Sequence, residues 1–403
     1  MTKSGRAFFA LGTFALLFSS CTRSSSSLDE QQVFTLEYGN FEDEINLFDY
    51  TQVGNITTSL AMRDGFFYIA NSEAGKVMEL SSYGDLLTLY YSESLNPRPS
   101  FATEDGEEMN ATRKAVPYPF NKTSDVTVDS KKNLYVVDRL PVERQELDEE
   151  LGEYLSQIVL RFDANGNPLG YLGQQGPGGT PFPLIKKIYV TDERELVVVC
   201  VTGSGPRVFW FAENGYMLFT VRIDKKSIPV PYEDGEEYYM EIGNVVPDYS
   251  SRKLYINVDY SVPDIDESSR MQSGIKYDKT LLYSLNVESG TFGKPLTITP
   301  HVEQAAGEFS DTKYNIPYDF LGVSGSGWYF FMAVIDDGFE VQMIQNNGQI
   351  VLTRKIKADH RNTLYYTFNL SNTGVLSELV AKSDKVYILW WRTDSLIQSI
   401  LKN

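Results

Sequence analysis

From Val33 onward, apolar and polar positions alternate in short bursts. Strings of β-branched and aromatic residues are separated by turns of Gly, Asn, Asp, Ser and Lys. This pattern predicts strands joined by tight turns. The clearest stretch is SDVTVDSKKNLYVVDR (Ser124 to Arg139), resumed after an insertion by QIVLRFDANGNPLGYLG (Gln157 to Gly173). It reads as four strands, A to D, with an A–B turn at Ser130–Asn133 and a C–D turn at Ala164–Asn167. The B strand recurs six times, as FFYIAN (Phe66), NLYVVDR (Asn133), ELVVVCV (Glu195), KLYINVD (Lys253), GWYFFMAV (Gly327) and KVYILWW (Lys385). Each follows a polar turn, and each suits a pleated, buried surface. The C–D turn recurs around Gly84, Gly166, Gly215, Gly290 and Gly348, where glycine supplies the positive φ of a tight hairpin.

The sixth copy reads as strand A from Gly374, strand B over Lys385–Trp391 and strand C over Ser395–Leu401, after which the chain ends. Its missing D strand has a candidate at the other terminus, VFTLEYG (Val33 to Gly39). A radial array closes its ring to avoid open sheet edges. The expected fold is therefore all-β, a six-bladed β-propeller of four-stranded antiparallel blades closed by the N-terminal strand. Ser124 to Gly173 resembles an NHL-type repeat, with its LYVVD-like strand and a strand ending in FDANG. The other copies keep the strand rhythm and lose most of the signature. That resemblance implies a binding or scaffold architecture more than a chemistry.

Six blades over this length give roughly 62 residues each, above the ~40–50 of simple repeats, so insertions are required. They fall at Leu95–Pro117, Arg139–Ser156, Gln174–Phe182, Lys225–Glu241, Tyr260–Thr280, Pro300–Ile316 and Ala358–Thr367. All are B–C or D–A connections, which share one face of an up-and-down blade array. Such one-sided insertions mark a binding face. They hold 23 acids and 12 bases, so this face carries over half of the net charge of −18. Two of them contain EDGEE, at Glu104, Asp105, Glu107 and Glu108 and again from Glu233 and Asp234. They also carry Tyr154, Tyr238, Tyr239, Tyr277 and Tyr314. Tyrosine offers a rigid amphipathic contact, so these residues are the candidate ligand-binding set for a basic protein or peptide, or for a glycan. Leu147, Leu151 and Leu155 lie four apart and predict a short helix.

The N-terminus adds an address. Lys3 and Arg6 precede an apolar run, Ala7 to Phe18. The run is too short for a bilayer span, which takes about twenty residues, and it suits a secretory h-region. Ser19 and Ser20 then precede Cys21. Small residues before a cysteine resemble the lipobox of bacterial lipoproteins, and Phe18 in place of the usual leucine resembles the looser lipoboxes of spirochaetes. The resemblance implies acylation of Cys21 and anchoring in the bilayer of the cell envelope, more in keeping with an outer than an inner membrane. Residues 1–20 then form a signal peptide, 21–32 a Ser-rich tether and 33–403 the propeller.

Composition narrows the chemistry. The acidic balance excludes a nucleic-acid binder, and an apolar fraction of 42% excludes disorder. Cys200, inside a strand, reads as core. His301 and His360 are the only histidines, too few for a three-His zinc site, though with a carboxylate they form a metal candidate. Asn71, Asp125, Asp138 and Asp259 are oxygen donors on A and B strands. GQQGPGG (Gly173 to Gly179) lacks the Lys-Ser/Thr of a phosphate loop and reads as a flexible connection. DANGN (Asp163 to Asn167) reads as a hairpin turn. The expected function is thus non-catalytic binding with no cofactor. The alternatives are a propeller hydrolase or lyase with calcium or zinc in its central channel, and an outer-membrane assembly factor.

Overall fold

In the computed structural model, residues 27–48, 56–102, 112–266, 268–306 and 311–402 are described. Twenty-four strands form six antiparallel four-stranded blades. The first blade runs Ser59–Arg63, Phe66–Asn71, Lys76–Leu80 and Leu86–Tyr91. The second runs Thr123–Val128, Leu134–Arg139, Gln157–Phe162 and Pro168–Gly173. The third runs Leu184–Val190, Leu196–Thr202, Gly205–Phe211 and Met217–Arg222. The fourth runs Tyr239–Pro247, Lys253–Ile265, Gln272–Asn286 and Leu296–Ile298. The fifth runs Asp319–Val323, Trp328–Ile335, Gly338–Gln345 and Val351–Lys357. The sixth takes Tyr365–Leu370, Leu376–Ala381 and Val386–Trp391 from the C-terminal end of the chain and its outer strand, Gln31–Leu36, from the N-terminal end.

The hydrophobic core falls into six clusters, one between each pair of neighbouring blades. The second and third strands of a blade are therefore buried on both faces, whereas an outer strand such as Met217–Arg222 stays largely exposed. In Phe66–Asn71, Phe67 and Ile69 point to the closing blade while Tyr68 and Ala70 point to the second. This is why the strands read as continuous apolar strings rather than as apolar–polar alternation. Cys200 is fully buried between the second and third blades; burial pushes its thiol pKa up, as expected of an inert core residue.

The ring closes as predicted in principle, but one strand out of frame. Gln31–Leu36 pairs antiparallel with Val386–Trp391, for example Thr35 opposite Tyr387. Phe34 packs edge-on against Phe67 of the first blade, ring centroids 5.4 Å apart. KVYILWW is thus the third strand of its blade. The segment from Gly374 feeds the second strand, and Tyr365–Leu370 is the first. Ser395–Leu401 is no strand but part of a helix, Thr393–Leu401, which buries Ile397 between the fifth and sixth blades. Its apolar residues Leu396, Ile397, Ile400 and Leu401 follow helical spacing. The strand also begins earlier than Val33, and the Leu28 amide donates to the Lys355 carbonyl (2.8 Å). The last residues assigned to the tether are therefore part of the fold.

Turn chemistry sets the blade frame. Four A–B turns start on a residue whose side-chain oxygen accepts the amide four positions on. These are Asp129 from Asn133 (2.9 Å), Thr191 from Glu195 (3.1 Å), Ser324 from Trp328 (3.2 Å) and Ser371 from Val375 (3.0 Å). Such local bonds favour turns over ladders. Asp163 does the same in DANGN, accepting from Asn165 and Asn167, so that motif is a hairpin turn. The five C–D glycines all have φ between 68° and 88°.

Candidate functional site

The two faces of the ring differ. One carries the A–B and C–D turns, of two to five residues except for the nine-residue connection 287–295 of the fourth blade. The other carries the long connections, which build three two-stranded ribbons. Glu146–Asp148 pairs with Glu153–Leu155, and His301–Ala306 pairs with Asp311–Ile316. The third ribbon is the extension of Lys253–Ile265 and Gln272–Asn286, strands of 13 and 15 residues against 5 to 8 in the other blades' second and third strands. The first ribbon replaces the helix expected from Leu147, Leu151 and Leu155. Asp148 accepts the amides of Glu150 and Leu151, and Gly152, at φ 66°, returns its own amide to the Asp148 carbonyl. A turn this tight overrides three helically spaced leucines.

The candidate residues divide into exposed and structural. Tyr154 is 64% exposed opposite Leu147, Tyr314 53% and Tyr239 40%; Glu233 and Asp234 are also exposed. Tyr238 is half-buried. It stacks on Tyr232 at 4.8 Å, and both rings contact Tyr260. The Tyr232 hydroxyl donates to Asp278 (2.7 Å), and the Lys279 ammonium lies 4.6 Å from the Tyr232 ring centroid. This cluster fastens the 225–241 insertion to the long ribbon. Tyr277 is half-buried, its hydroxyl 3.0 Å from that of Thr280. Cys21, Glu104, Asp105, Glu107 and Glu108 lie outside the described residues.

His301 is committed to a structural contact. His301 Nδ1 is 2.8 Å from Glu340 Oε1, which also accepts from the Tyr318 hydroxyl. That contact ties the 300–316 insertion to the fifth blade. His360 opens the helical turn His360–Asn362, and its side chain lies outside the description. GQQGPGG is not loose. The Gln174 amide donates to the Thr180 carbonyl and its side chain to the Pro181 carbonyl, both at 2.8 Å.

The inner strands line a central channel of about 510 Å³. Its wall is mixed: Thr58, Ser124, Asp125, Lys186, Lys187, Asn244, Tyr365 and Asn369 stand among apolar side chains such as Ile185, Val245, Leu321 and Phe368. The proposed oxygen donors are largely spoken for. Asp125, 5% exposed, accepts from Lys187 Nζ (2.8 Å) and the Ile188 amide (2.9 Å). Asp138 accepts the amides of Asn121 and Lys122; burial lifts its pKa to about 6 against those bonds. Asn71 bonds the Asn46 backbone and Thr58. Asp259 accepts from the Thr280 hydroxyl, and burial, with the charges of Glu241 and Asp319, raises its pKa. Among the described residues no group of three His, Cys, Asp or Glu side chains could hold a metal ion. Sequence reasoning missed Lys186 and Lys187, whose signal was a bulge-forming Lys–Lys pair within an apolar strand.

No family model matches the chain, and no curated protein matches it. Among solved structures it is similar to polysaccharide lyase Uly1 at 9% identity and a TM-score of 0.42, covering 91% of this chain and 99% of that one. It is also similar to a streptogramin B lyase (11%, 0.37, covering 90% and 97%). A putative gluconolactonase gives 11%, 0.36, covering 91% and 92%. At this distance no chemistry transfers, and the propeller assignment rests on the chain's own sheet order.

Proposed function

We propose that this chain is a lipid-anchored propeller of the bacterial cell envelope, an NHL-like lipoprotein of the spirochaete type. It binds a basic protein or peptide, or a glycan, through its elaborated face and carries out no reaction there. The observation that carries the reading is that the long connections gather on one side, residues 287–295 of the fourth blade excepted, together with their excess of acids. That side also presents exposed apolar side chains, among them Leu147, Tyr154, Tyr239, Ile265, Met271, Ile275, Val302 and Tyr314. Acidic residues around exposed aromatic and aliphatic groups suit a protein partner with basic and apolar character. The anchor rests on Lys3, Arg6, the Ala7–Phe18 run and Ser19-Ser20-Cys21. Stable attachment takes more than one acyl chain.

Two experiments test it. Wild type should incorporate labelled palmitate and Cys21→Ser should not; equal labelling of both contradicts the anchor. Recovery of partners from envelope extract should fall severalfold when Tyr154, Tyr239 and Tyr314 become alanine and Glu233 and Asp234 become amides. Unchanged recovery removes the face from the account. The competing reading is a channel enzyme, which the polar groups of the channel favour. Stoichiometric calcium or zinc in the purified protein would support it.

A further inference from the structure

The ring is not evenly packed. Inner strands of neighbouring blades touch around the channel, but between the third and fourth blades the main contact is made by the second strand, Leu196–Thr202, against Tyr239–Pro247. The two sheets pack well at Val197, Trp210, Val245 and Ile256 and diverge toward the elaborated face. The gap is a cleft of about 650 Å³, within the range of small-molecule sites. Val201, on an internal strand, is left 41% exposed in it. Lys186, Val199 and Val245 line both this cleft and the channel, so the two spaces communicate.

The cleft has an apolar waist of Val199, Val201, Ile242 and Val245. Charges of both signs flank it: Lys186 and Lys226, Asp224 and Glu241. Among the described residues none of these four side chains closes a hydrogen bond or salt bridge, although Lys186 lies within the field of the Glu241 and Asp319 carboxylates. Behind Gly243, which lines the cleft, the buried Asn257 has an Oδ1 with no hydrogen-bond partner among the described residues. Opposite charges that share a cleft without closing into a salt bridge leave one place for each end of a dipolar ligand. A ligand that met both would gain two charge-assisted contacts and cover the apolar waist. We propose that the cleft between the third and fourth blades binds a short apolar peptide as its zwitterion, carboxylate to Lys186 and ammonium to Glu241. The cleft opens on the elaborated face beside the 225–241 insertion, but its ligand is held by Lys186 and Glu241 rather than by the exposed Tyr154, Tyr239 and Tyr314.

Calorimetric titration of the full chain with the dipeptide Leu-Leu tests this, alongside N-acetyl-Leu-Leu, which lacks the ammonium, and Leu-Leu amide, which lacks the carboxylate. Wild type should bind the zwitterion about tenfold more tightly than either capped form, the scale of one charge-assisted contact. Lys186→Met should abolish the preference for the dipeptide over its amide and leave the preference over the acetylated form. Glu241→Gln should do the converse. Ser204→Trp, at the mouth, should block all three ligands while leaving the melting temperature unchanged. No saturable binding of Leu-Leu up to about 10 mM, or preferences that survive both substitutions, overturns the proposal. Loss of partner recovery through Tyr154, Tyr239 and Tyr314 would leave it untouched, so the two readings fail separately.

Discussion

Glu378 stands on the second strand of the closing blade, 4% exposed, and burial lifts its pKa from the ordinary 4.5 to about 8. The charge of Glu30 adds to the rise, and Lys382 opposes it. Because the folded value lies above the unfolded one, folding favours the protonated acid. The resulting cost is absent below about pH 4.5, grows as the pH rises and is complete above about 8. Glu378→Gln should therefore match the wild type at pH 4 and exceed it at pH 7 by on the order of 3 kcal/mol, at about 1.4 kcal/mol per pH unit. Urea denaturation at both pH values checks this, and a gap that does not widen with pH would contradict it. Asp125 is the opposite case, a buried carboxylate satisfied by Lys187 and the Ile188 amide. Asp125→Ala strands both donors and should cost about 1–3 kcal/mol, measured in the same way. A lone aspartate in the sequence could not reveal this partnership, because Lys187 lies 62 positions away on another blade.

At the scale of elements, the blade repeat was legible because the turns carry their own chemistry. Asp129, Thr191 and Ser324 each open an A–B turn with a side-chain oxygen, and the C–D glycines take positive φ. The sixth blade slipped by one strand for a physical reason. Second and third strands are both buried on two faces, and VYILWW, apolar throughout, reads as the more B-like string, whereas Ser377 and Glu378 interrupt LSELVA although that strand is fully buried. The frame was set instead by SNTG, Ser371 to Gly374, which repeats the SGSG turn of the fifth blade. The leucine triad misled because spacing alone was weighed against Asp148 and Gly152, whose turn is local and strong. The placement of the insertions on one side follows from strand count alone, and the exception, residues 287–295 of the fourth blade, sits on the other side. Closure concentrates in Phe34, which contacts Phe67 and lies against Gly84, where any Cβ would come within 2.9 Å of it. Phe34→Ala should cost about 3–5 kcal/mol, read as a shifted urea midpoint with the slope unchanged.

For the whole molecule, residues from the two ends of the described chain make one sheet. Tyr38 donates to the Lys382 carbonyl (2.6 Å), Lys385 pairs with Glu37 (3.1 Å), and the Trp390 indole donates to Gln31 (2.8 Å). A ring fastened this way holds its inner strands around the channel and its ribbons on one side, which the binding face and the inter-blade cleft both need. Amide hydrogen exchange across a urea series measures this directly. Amides of Gln31–Leu36 should be protected and should open together with those of Val386–Trp391, at the same free energy. Exchange of 31–36 within seconds, while 386–391 stay protected, would mean that the N-terminal strand is not part of the ring.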